Sequence, residues 1–142
     1  MAQQAFDIGS QIKNVVGKVP TAQTAATVNG TGVSRMTPGG GVGYESCVVS
    51  THLGASAGTP DSFTVIVTLE DSDAVGGTYA TYSTALTTLT AINTSTTKSF
   101  DLRGAKEFVR VTTVAAFVGG STPSILNCSN ITFGGSVTKP TA

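Results

Sequence analysis

The sequence is poor in charged residues and has no tryptophan, and these shortages exclude several kinds of function. Eight acidic and eight basic residues among 142 give a formal net charge of zero. Nucleic-acid-binding domains normally present a basic stripe with interleaved aromatic side chains, and no such stripe is present. No segment approaches the ~20 apolar residues of a membrane helix, and the N-terminus lacks the pattern of a signal peptide. We therefore expect neither a nucleic-acid nor a membrane partner.

Residues that could build a catalytic or cofactor site are also scarce. His52 is the only histidine, and no Gly-x-Ser-x-Gly motif is present to accompany it in a catalytic triad. The glycine-rich stretch 37–43 lacks the Lys-Ser/Thr pair and following helix of a phosphate-binding loop. A zinc site would need His52, Cys47, Cys128 and a carboxylate, with no close-spaced pair among them. We predict that the protein is not an enzyme and holds no cofactor.

One acidic turn is a weak candidate for a metal site. Glu70, Asp71 and Asp73 follow an apolar strand pattern, and clustered carboxylates on a loop can bind Ca²⁺ through hard oxygen ligands. The turn lacks the later glycine and glutamate of an EF-hand loop at the required offsets. The favoured interpretation is a solvated turn whose aspartates bind local backbone amides, with no bound metal.

The abundant residues indicate β-structure. The chain contains 17 glycines and 24 threonines, and threonine is a β-branched residue that packs well on a half-buried sheet. A length of 142 residues fits one domain with a sizeable core. Cys47 and Cys128 fall within predicted strands, where we expect two buried reduced thiols, with a disulfide between facing strands as the alternative.

Apolar and polar residues alternate along several segments, as they do in half-buried strands. The clearest are Phe108–Val118, Phe63–Glu70 and Tyr44–Leu53. In the first, Val109, Val111 and Thr113 face one way and the residues between them face the other. Further strands are predicted near 78–82, 98–102 and 124–133, and Asn29-Gly30 indicates either a hairpin or a strand bent at glycine. Seven or eight short strands predict an all-β, jelly-roll-like β-sandwich.

The first twenty residues lack this alternation and are predicted to form an N-terminal arm. Ser10 could cap a short helical turn through Val16, before Gly17 and Pro20 end it. Such a short segment is not helical by itself in water, so we expect it to lie on its own sandwich or on a partner. The predicted organisation is an arm at 1–20, a sandwich at 21–135 and a tail at 136–142. Within the arm, Phe6, Ile8 and Ile12 are the candidate interface residues.

The densest group of charged residues follows the strand near 98–102. It contains Asp101, Arg103, Lys106, Glu107 and Arg110. Arginine is enriched where two proteins meet, because its planar guanidinium makes paired hydrogen bonds, so Arg103, Lys106 and Arg110 are candidate interface residues. The alternative is a set of surface ion pairs that contribute little to stability.

The order of the motifs resembles that of a known family. A Val-Asn-Gly-Thr-Gly-Val strand precedes Gly-Tyr-Glu-Ser-Cys-Val-Val and then Ser-Phe-Thr-Val-Ile-Val-Thr-Leu-Glu-Asp-Ser-Asp; Asp-Leu-Arg-Gly-Ala-Lys-Glu-Phe-Val-Arg-Val and a final strand ending in Gly-Gly follow. Over about residues 24–135, this set is similar to small head decoration, cement or minor capsid proteins of tailed bacteriophages. The glycine run at 39–41 and the loop at 84–97 depart from that pattern.

The resemblance implies a jelly-roll-like sandwich on the outside of a phage head, where it strengthens joints between capsid subunits. Its implied partners are the major capsid protein and other copies of itself, often in threefold clusters, in particles assembled in the host cytoplasm. The resemblance supplies no catalytic residues. The alternative hypothesis is a carbohydrate-binding β-sandwich, displayed on a virion or secreted. That function would need exposed coplanar aromatic residues, whereas Tyr79 and Tyr82 are predicted to lie on opposite faces of one strand.

Overall fold

The structure is a computed structural model that describes residues 12–36, 43–83 and 87–136. Within these ranges all regular elements are β-strands, which confirms the predicted all-β class. There are ten strands rather than seven or eight, because four short ones of two to four residues lie beside the long ones. The strands are β1 (Lys13–Gln23), β2 (Ala26–Asn29), β3 (Val33–Ser34), β4 (Tyr44–Ala57), β5 (Ser62–Ser72), β6 (Ala80–Thr81), β7 (Thr87–Leu89), β8 (Ser95–Asp101), β9 (Phe108–Val118) and β10 (Ser124–Ser136).

The strands form two antiparallel sheets whose pairing is nested. Sheet A has the order β1-β10-β4-β8, and sheet B has the order β2-β9-β5-β6, with β3 also on β9 and β7 also on β5. The first strand therefore pairs with the last, the second and third with the ninth, the fourth with the eighth, and the fifth with the sixth and seventh. This is the pairing of a jelly roll, in which one long hairpin is rolled up into two sheets.

The core lies between the sheets and is built by alternation along the long strands. On β4 the buried residues are Tyr44, Cys47, Val49, Thr51 and Leu53, with exposed or half-buried residues between them. The same alternation in β10 extends this wall of the core, and that in β5 and β9 supplies the opposite wall. The largest completely buried apolar side chains are Phe133, Leu69, Leu102, Ile125 and Ile131.

The N-terminal part of the sandwich differs from the sequence-based prediction. Residues 13–16, predicted as a helical turn in a separate arm, are extended in β1, which pairs with β10 from Lys13↔Phe133 to Gln23↔Ile125. The helical turn considered for this segment does not form over residues 13–16, and the segment lies on its own sandwich, which was one of the two expected positions. The boundary predicted at residue 20 falls inside this strand. Pro20 is tolerated because β1 is an edge strand and the pairing shifts register between Lys18 and Thr21, so no ladder hydrogen bond needs its missing N–H.

The segment around Asn29-Gly30 is a bent strand and not a hairpin. β2 and β3 flank it, and both pair with the same strand, β9. At the bend, the Gly30 N–H donates to the Val111 carbonyl (2.7 Å) and the Thr31 N–H donates to the Gly17 carbonyl of β1 (2.8 Å). A Cβ on Gly30 would lie 2.1 Å from the Gly17 oxygen, so only glycine permits this contact between the two sheets.

The two cysteines are free and differ in environment. Cys47 is 2% exposed, and burial raises the pKa of its thiol to about 12. Cys128 is half-buried on β10, between the inward-facing Asn127 and Ser129, so it faces outward from sheet A. The prediction of two unpaired thiols agrees with the structure, whereas the burial of Cys128 was overestimated.

Candidate interaction surfaces

Chemistry-bearing residues are dispersed over the described parts of the chain. Across residues 12–36, 43–83 and 87–136, no group of three histidine, cysteine or acidic side chains is placed to hold a metal ion. His52 is exposed on the outer face of β4, beside Cys128 and Ser95 in the register. In these same ranges no helix is both long and apolar enough to cross a membrane.

The three carboxylates of the acidic turn have separate partners. Glu70 accepts hydrogen bonds from Arg110 Nε (2.7 Å) and from Thr112 Oγ1 (2.9 Å) on the outer face of sheet B. Asp71 is buried on the inner side, where it accepts the Lys106 backbone N–H (3.0 Å). Asp73 is exposed and forms an ion pair with the Lys106 side chain (2.9 Å). Each carboxylate is thus engaged by the protein itself and points away from a shared centre.

Arg110, a predicted interface residue, is held by its own chain. Its side chain is 20% exposed, and the Glu70 side chain paired with it is 17% exposed. The guanidinium also lies over the Tyr79 ring, with Cζ 4.1 Å from the ring centroid. Tyr79 is fixed in turn, because its hydroxyl donates to the Val75 carbonyl (3.0 Å). A guanidinium occupied by both a carboxylate and an aromatic face is a structural pair rather than a free anchor.

Arg103 and Lys106 are the predicted interface residues that the structure leaves accessible. Arg103 forms a forked pair with Asp101, in which Nε lies 3.0 Å from both carboxylate oxygens. The Arg103 hydrogen bonds lower the pKa of the Asp101 carboxyl to about 2. The Asp73 carboxylate raises the pKa of the Lys106 ammonium. Exposed pairs of this kind contribute little to stability, and their side chains remain available to a partner.

These accessible residues share one end of the sandwich with Ile12. The turn 102–107 follows β8, and Ile12 immediately precedes β1, whose first residue pairs with Phe133 near the end of β10. Ile12 is 39% exposed. The other two arm candidates, Phe6 and Ile8, lie outside the described residues. We call the surface formed by Ile12, Arg103 and Lys106 the charged end.

The tyrosines do not form a platform for sugar rings. Tyr44 is 4% exposed and stacks at a tilt on Phe133 in the core. Tyr82 is half-buried against the core, and its hydroxyl donates to the Asp101 carbonyl (2.6 Å). Tyr79 stacks on Arg110 as described above. All three rings are engaged separately, so the described residues contain no coplanar exposed pair of tyrosines, which counts against the carbohydrate-binding alternative.

Sequence analysis missed the unusual composition of the outer face of sheet A. Residues that alternate with the buried ones on β1, β10, β4 and β8 form this surface, which we call the sheet A face. The position of these residues relative to one another depends on how the strands pair. The apolar and polar pattern within one strand could therefore not show that they share a surface. They are Ile12, Asn14, Val16, Ser46, Val48, Ser50, His52, Ser95, Thr97, Ser99, Asp101, Leu126, Cys128, Asn130, Thr132 and Gly134.

Sequence analysis also missed a buried polar cluster between the sheets. Lys18 is 3% exposed and donates to Gln23 Oε1 (3.0 Å) and to Asn127 Oδ1. Gln23 Oε1 also accepts from Thr113 Oγ1 (2.8 Å) and from Asn127 Nδ2 (2.9 Å). None of the ion pairs in the described residues includes Lys18. Burial lowers the pKa of its ammonium to about 8, and interaction with Cys128 partly opposes this shift.

Cavities within the described residues offer little to a small molecule. One cleft of about 10 Å³ lies between the sheets, lined by residues such as Val49, Val67 and Phe100. It is smaller than the 300–1,000 Å³ typical of ligand pockets. A second depression of about 410 Å³ is a shallow, open groove beside Glu45, Asp101 and Arg103. Its position at the charged end fits contact with a macromolecule better than capture of a small ligand.

Comparisons with known proteins give a fold and no family. No family model matches the sequence, and no curated protein matches it. Among solved structures, the PBSX exported protein XepA is 14% identical with a TM-score of 0.58, and the match covers 92% of this chain and 39% of XepA. The tobacco streak virus coat protein is 10% identical with a TM-score of 0.42, and the match covers 94% of this chain and 92% of that protein. The first likeness shows a shared fold, and the second is too weak to support an argument.

Proposed function

We propose that this chain is a structural virion protein that decorates the outside of a phage head and strengthens the joints between capsid subunits. The observation that supports this most is the nested pairing of its strands, which is that of a jelly roll. Jelly rolls are recurrent in viral capsid proteins. The fold shared with an exported protein of the phage PBSX is consistent with this role.

Its partners would be the major capsid protein and further copies of the chain, grouped in threes on the shell as the family resemblance implies. The charged end is the surface that we assign to the shell, because Arg103 and Lys106 are accessible there and Ile12 adds an exposed apolar contact. Each contact is modest. Repetition over a closed shell adds avidity, since each bound site holds the next at a high effective concentration.

The decisive experiment mixes purified protein with undecorated heads of the phage that encodes it. Electron microscopy would show where, and in what number, the protein attaches, and heating would show whether decorated heads resist rupture better than bare ones. We expect attachment to the outer surface and rupture at a higher temperature. Heads that bind no protein, or rupture at an unchanged temperature, would contradict the proposal.

Charge reversal tests the assigned surface. We expect Arg103→Glu together with Lys106→Glu to weaken attachment to heads at least tenfold, whereas Lys98→Glu, an exposed lysine on β8, serves as the matched control and leaves attachment unchanged. Equal weakening by both changes would indicate nonspecific electrostatics. A glycan array addresses the alternative function: binding to a defined sugar without attachment to heads would favour a carbohydrate-binding module.

A further inference from the structure

The sheet A face is nearly free of charge. Asp101 is the single charged residue among its sixteen, and it lies at one corner, where Arg103 neutralises it. The exposed surface of a monomeric domain is typically about one quarter to one third charged. Lysine residues on edge strands are likewise a common protection against unwanted pairing with another chain. An open sheet without charges therefore lacks the usual barrier to contact with another sheet.

The same face carries exposed apolar side chains at regular positions. Val16 is 52% exposed, Leu126 46%, Ile12 39% and Val48 37%. Between them lie short side chains, mainly serine, threonine and asparagine, that leave the surface without tall obstacles. Two sheets pack face to face about 10 Å apart when the side chains between them interdigitate. A surface of short polar and branched apolar side chains fits this kind of packing.

The outer face of sheet B is different and provides an internal comparison. The Glu70–Arg110 ion pair lies on it, and the Tyr79 ring stacks on that arginine. Its flanking strands are also short, since β2 has four residues and β7 has three. Sheet A, by contrast, is flanked on one side by the eleven-residue β1 and on the other by the seven-residue β8. The outer face of sheet A is thus the one that has the longer flanking strands and only a single charged residue, at its corner.

We propose that the sheet A face is a self-association surface, and that its occupant is the same face of a second copy of this chain related by a twofold axis. A twofold contact brings each surface against itself, so residues near the axis meet their own copies. A charged surface would repel itself in that arrangement, whereas an uncharged one does not. The lack of charge also removes the basis for recognising a partner through opposite charge.

The size of the surface is at the lower limit for a specific dimer. Four strands about 4.8 Å apart, with four or five outward residues spaced about 6.8 Å along each, cover roughly 500 Å². Two copies would together bury about 1,000 Å², which is close to the threshold for a specific interface. We therefore expect a dimer with a dissociation constant in the micromolar range. Arg103 and Lys106 of the charged end lie outside this face, whereas Ile12 belongs to both, so attachment to a shell and pairing of copies use surfaces that overlap only at Ile12.

Sedimentation equilibrium of the full chain from 1 to 300 µM tests this inference without heads, and so independently of the proposed function. We expect a monomer–dimer equilibrium that Ser50→Lys weakens at least tenfold, because Ser50 lies near the centre of the face, between Asn130 and Thr97. Thr64→Lys is the matched control, since Thr64 is equally half-buried but lies on the outer face of sheet B. If Ser50→Lys fails to fold, Ser99→Lys on the edge strand β8 provides the same test.

Cys128 supplies a second readout on the unmodified protein. It lies on the sheet A face, whereas Cys47 is buried and reacts slowly, so thiol labelling reports on this surface. Labelling of Cys128 is expected to slow as protein concentration rises, and not to slow in Ser50→Lys. A protein that stays monomeric to 300 µM, with labelling independent of concentration, would overturn the inference. An oligomer that Thr64→Lys disrupts and Ser50→Lys does not would also overturn it.

Discussion

The buried lysine between the sheets predicts an unusual dependence of stability on pH. Burial lowers the pKa of the Lys18 ammonium to about 8 in the folded protein, from an ordinary value of 10.5. Between these values the unfolded chain binds more protons than the folded one, so raising the pH through this window stabilises the fold. This lowered pKa corresponds to a cost of about 3 kcal/mol at pH 7, most of which is regained by pH 10.

Replacement of Lys18 by methionine tests this reasoning. The apolar side chain removes the titration but leaves Asn127 Oδ1 without the lysine donor, at a cost of about 1–3 kcal/mol. At pH 7 the gain from removing the buried charge and the loss of the hydrogen bond nearly cancel. At pH 10 the lysine of the parent is largely neutral, so the gain disappears and we expect the variant to be clearly less stable than the parent. Urea unfolding at pH 7, 8, 9 and 10 measures the stability of the parent and of the variant. Both proteins carry Cys128→Ser, because the Cys128 thiol interacts with the Lys18 ammonium. A stability difference that changes by less than about 0.5 kcal/mol across this range would refute the argument.

Three further predictions concern other contacts. Gly30→Ala should destabilise the fold by about 2 kcal/mol or more in urea unfolding, because its Cβ would meet backbone oxygens. Gly76→Ala is the control: it has open space around it and should change stability by less than about 0.5 kcal/mol. Equal losses in the two variants would contradict the close contact at Gly30. Glu70→Gln should cost about 1 kcal/mol in low salt and less in high salt, and a loss that is independent of salt would count against the ion pair. Nuclear magnetic resonance titration should place the Asp101 pKa near 2, and Arg103→Ala should return it towards 3.8; an unchanged midpoint would show that the arginine is not the cause.

The strands that were predicted correctly are those whose burial alternates with little interruption. β5 alternates from Phe63 to Leu69, and β9 alternates from Val109 to Ala115 apart from the buried Thr112, so the local pattern places nearly all of their buried residues. β4 extends four residues beyond its predicted end at Leu53, because pairing with β10 continues to Ala57. That extension depends on a partner distant in sequence, which a local pattern does not contain.

β1 was missed because its inward positions do not carry a regular apolar pattern. Gly17 and Lys18 are consecutive buried residues at a register shift, and Pro20 resembles the end of an element. The sequence gives no sign that Lys18 is buried. Its acceptors Gln23 and Asn127 lie on different strands, and only the pairing of β1 with β10 brings them together.

The candidate site was predictable in composition and not in arrangement. Arg103 and Lys106 were identified by their charge density, and the structure leaves both accessible. Arg110 was grouped with them, but cross-strand pairing sets it opposite Glu70, which removes it from the free surface. Likewise, the lack of charge on the sheet A face becomes visible only when the register brings four separated strands together.

The pairing of the first strand with the last has a consequence for synthesis. β10 lies in the middle of sheet A, so β1 and β4 have no neighbour on that side until residues 124–136 have left the ribosome. Contacts between such distant parts of a chain form slowly, since a long loop must close before they stabilise anything. A nascent chain that pauses before Ser124 exposes two long unpaired edges. It is therefore a natural substrate for chaperones until translation is nearly complete.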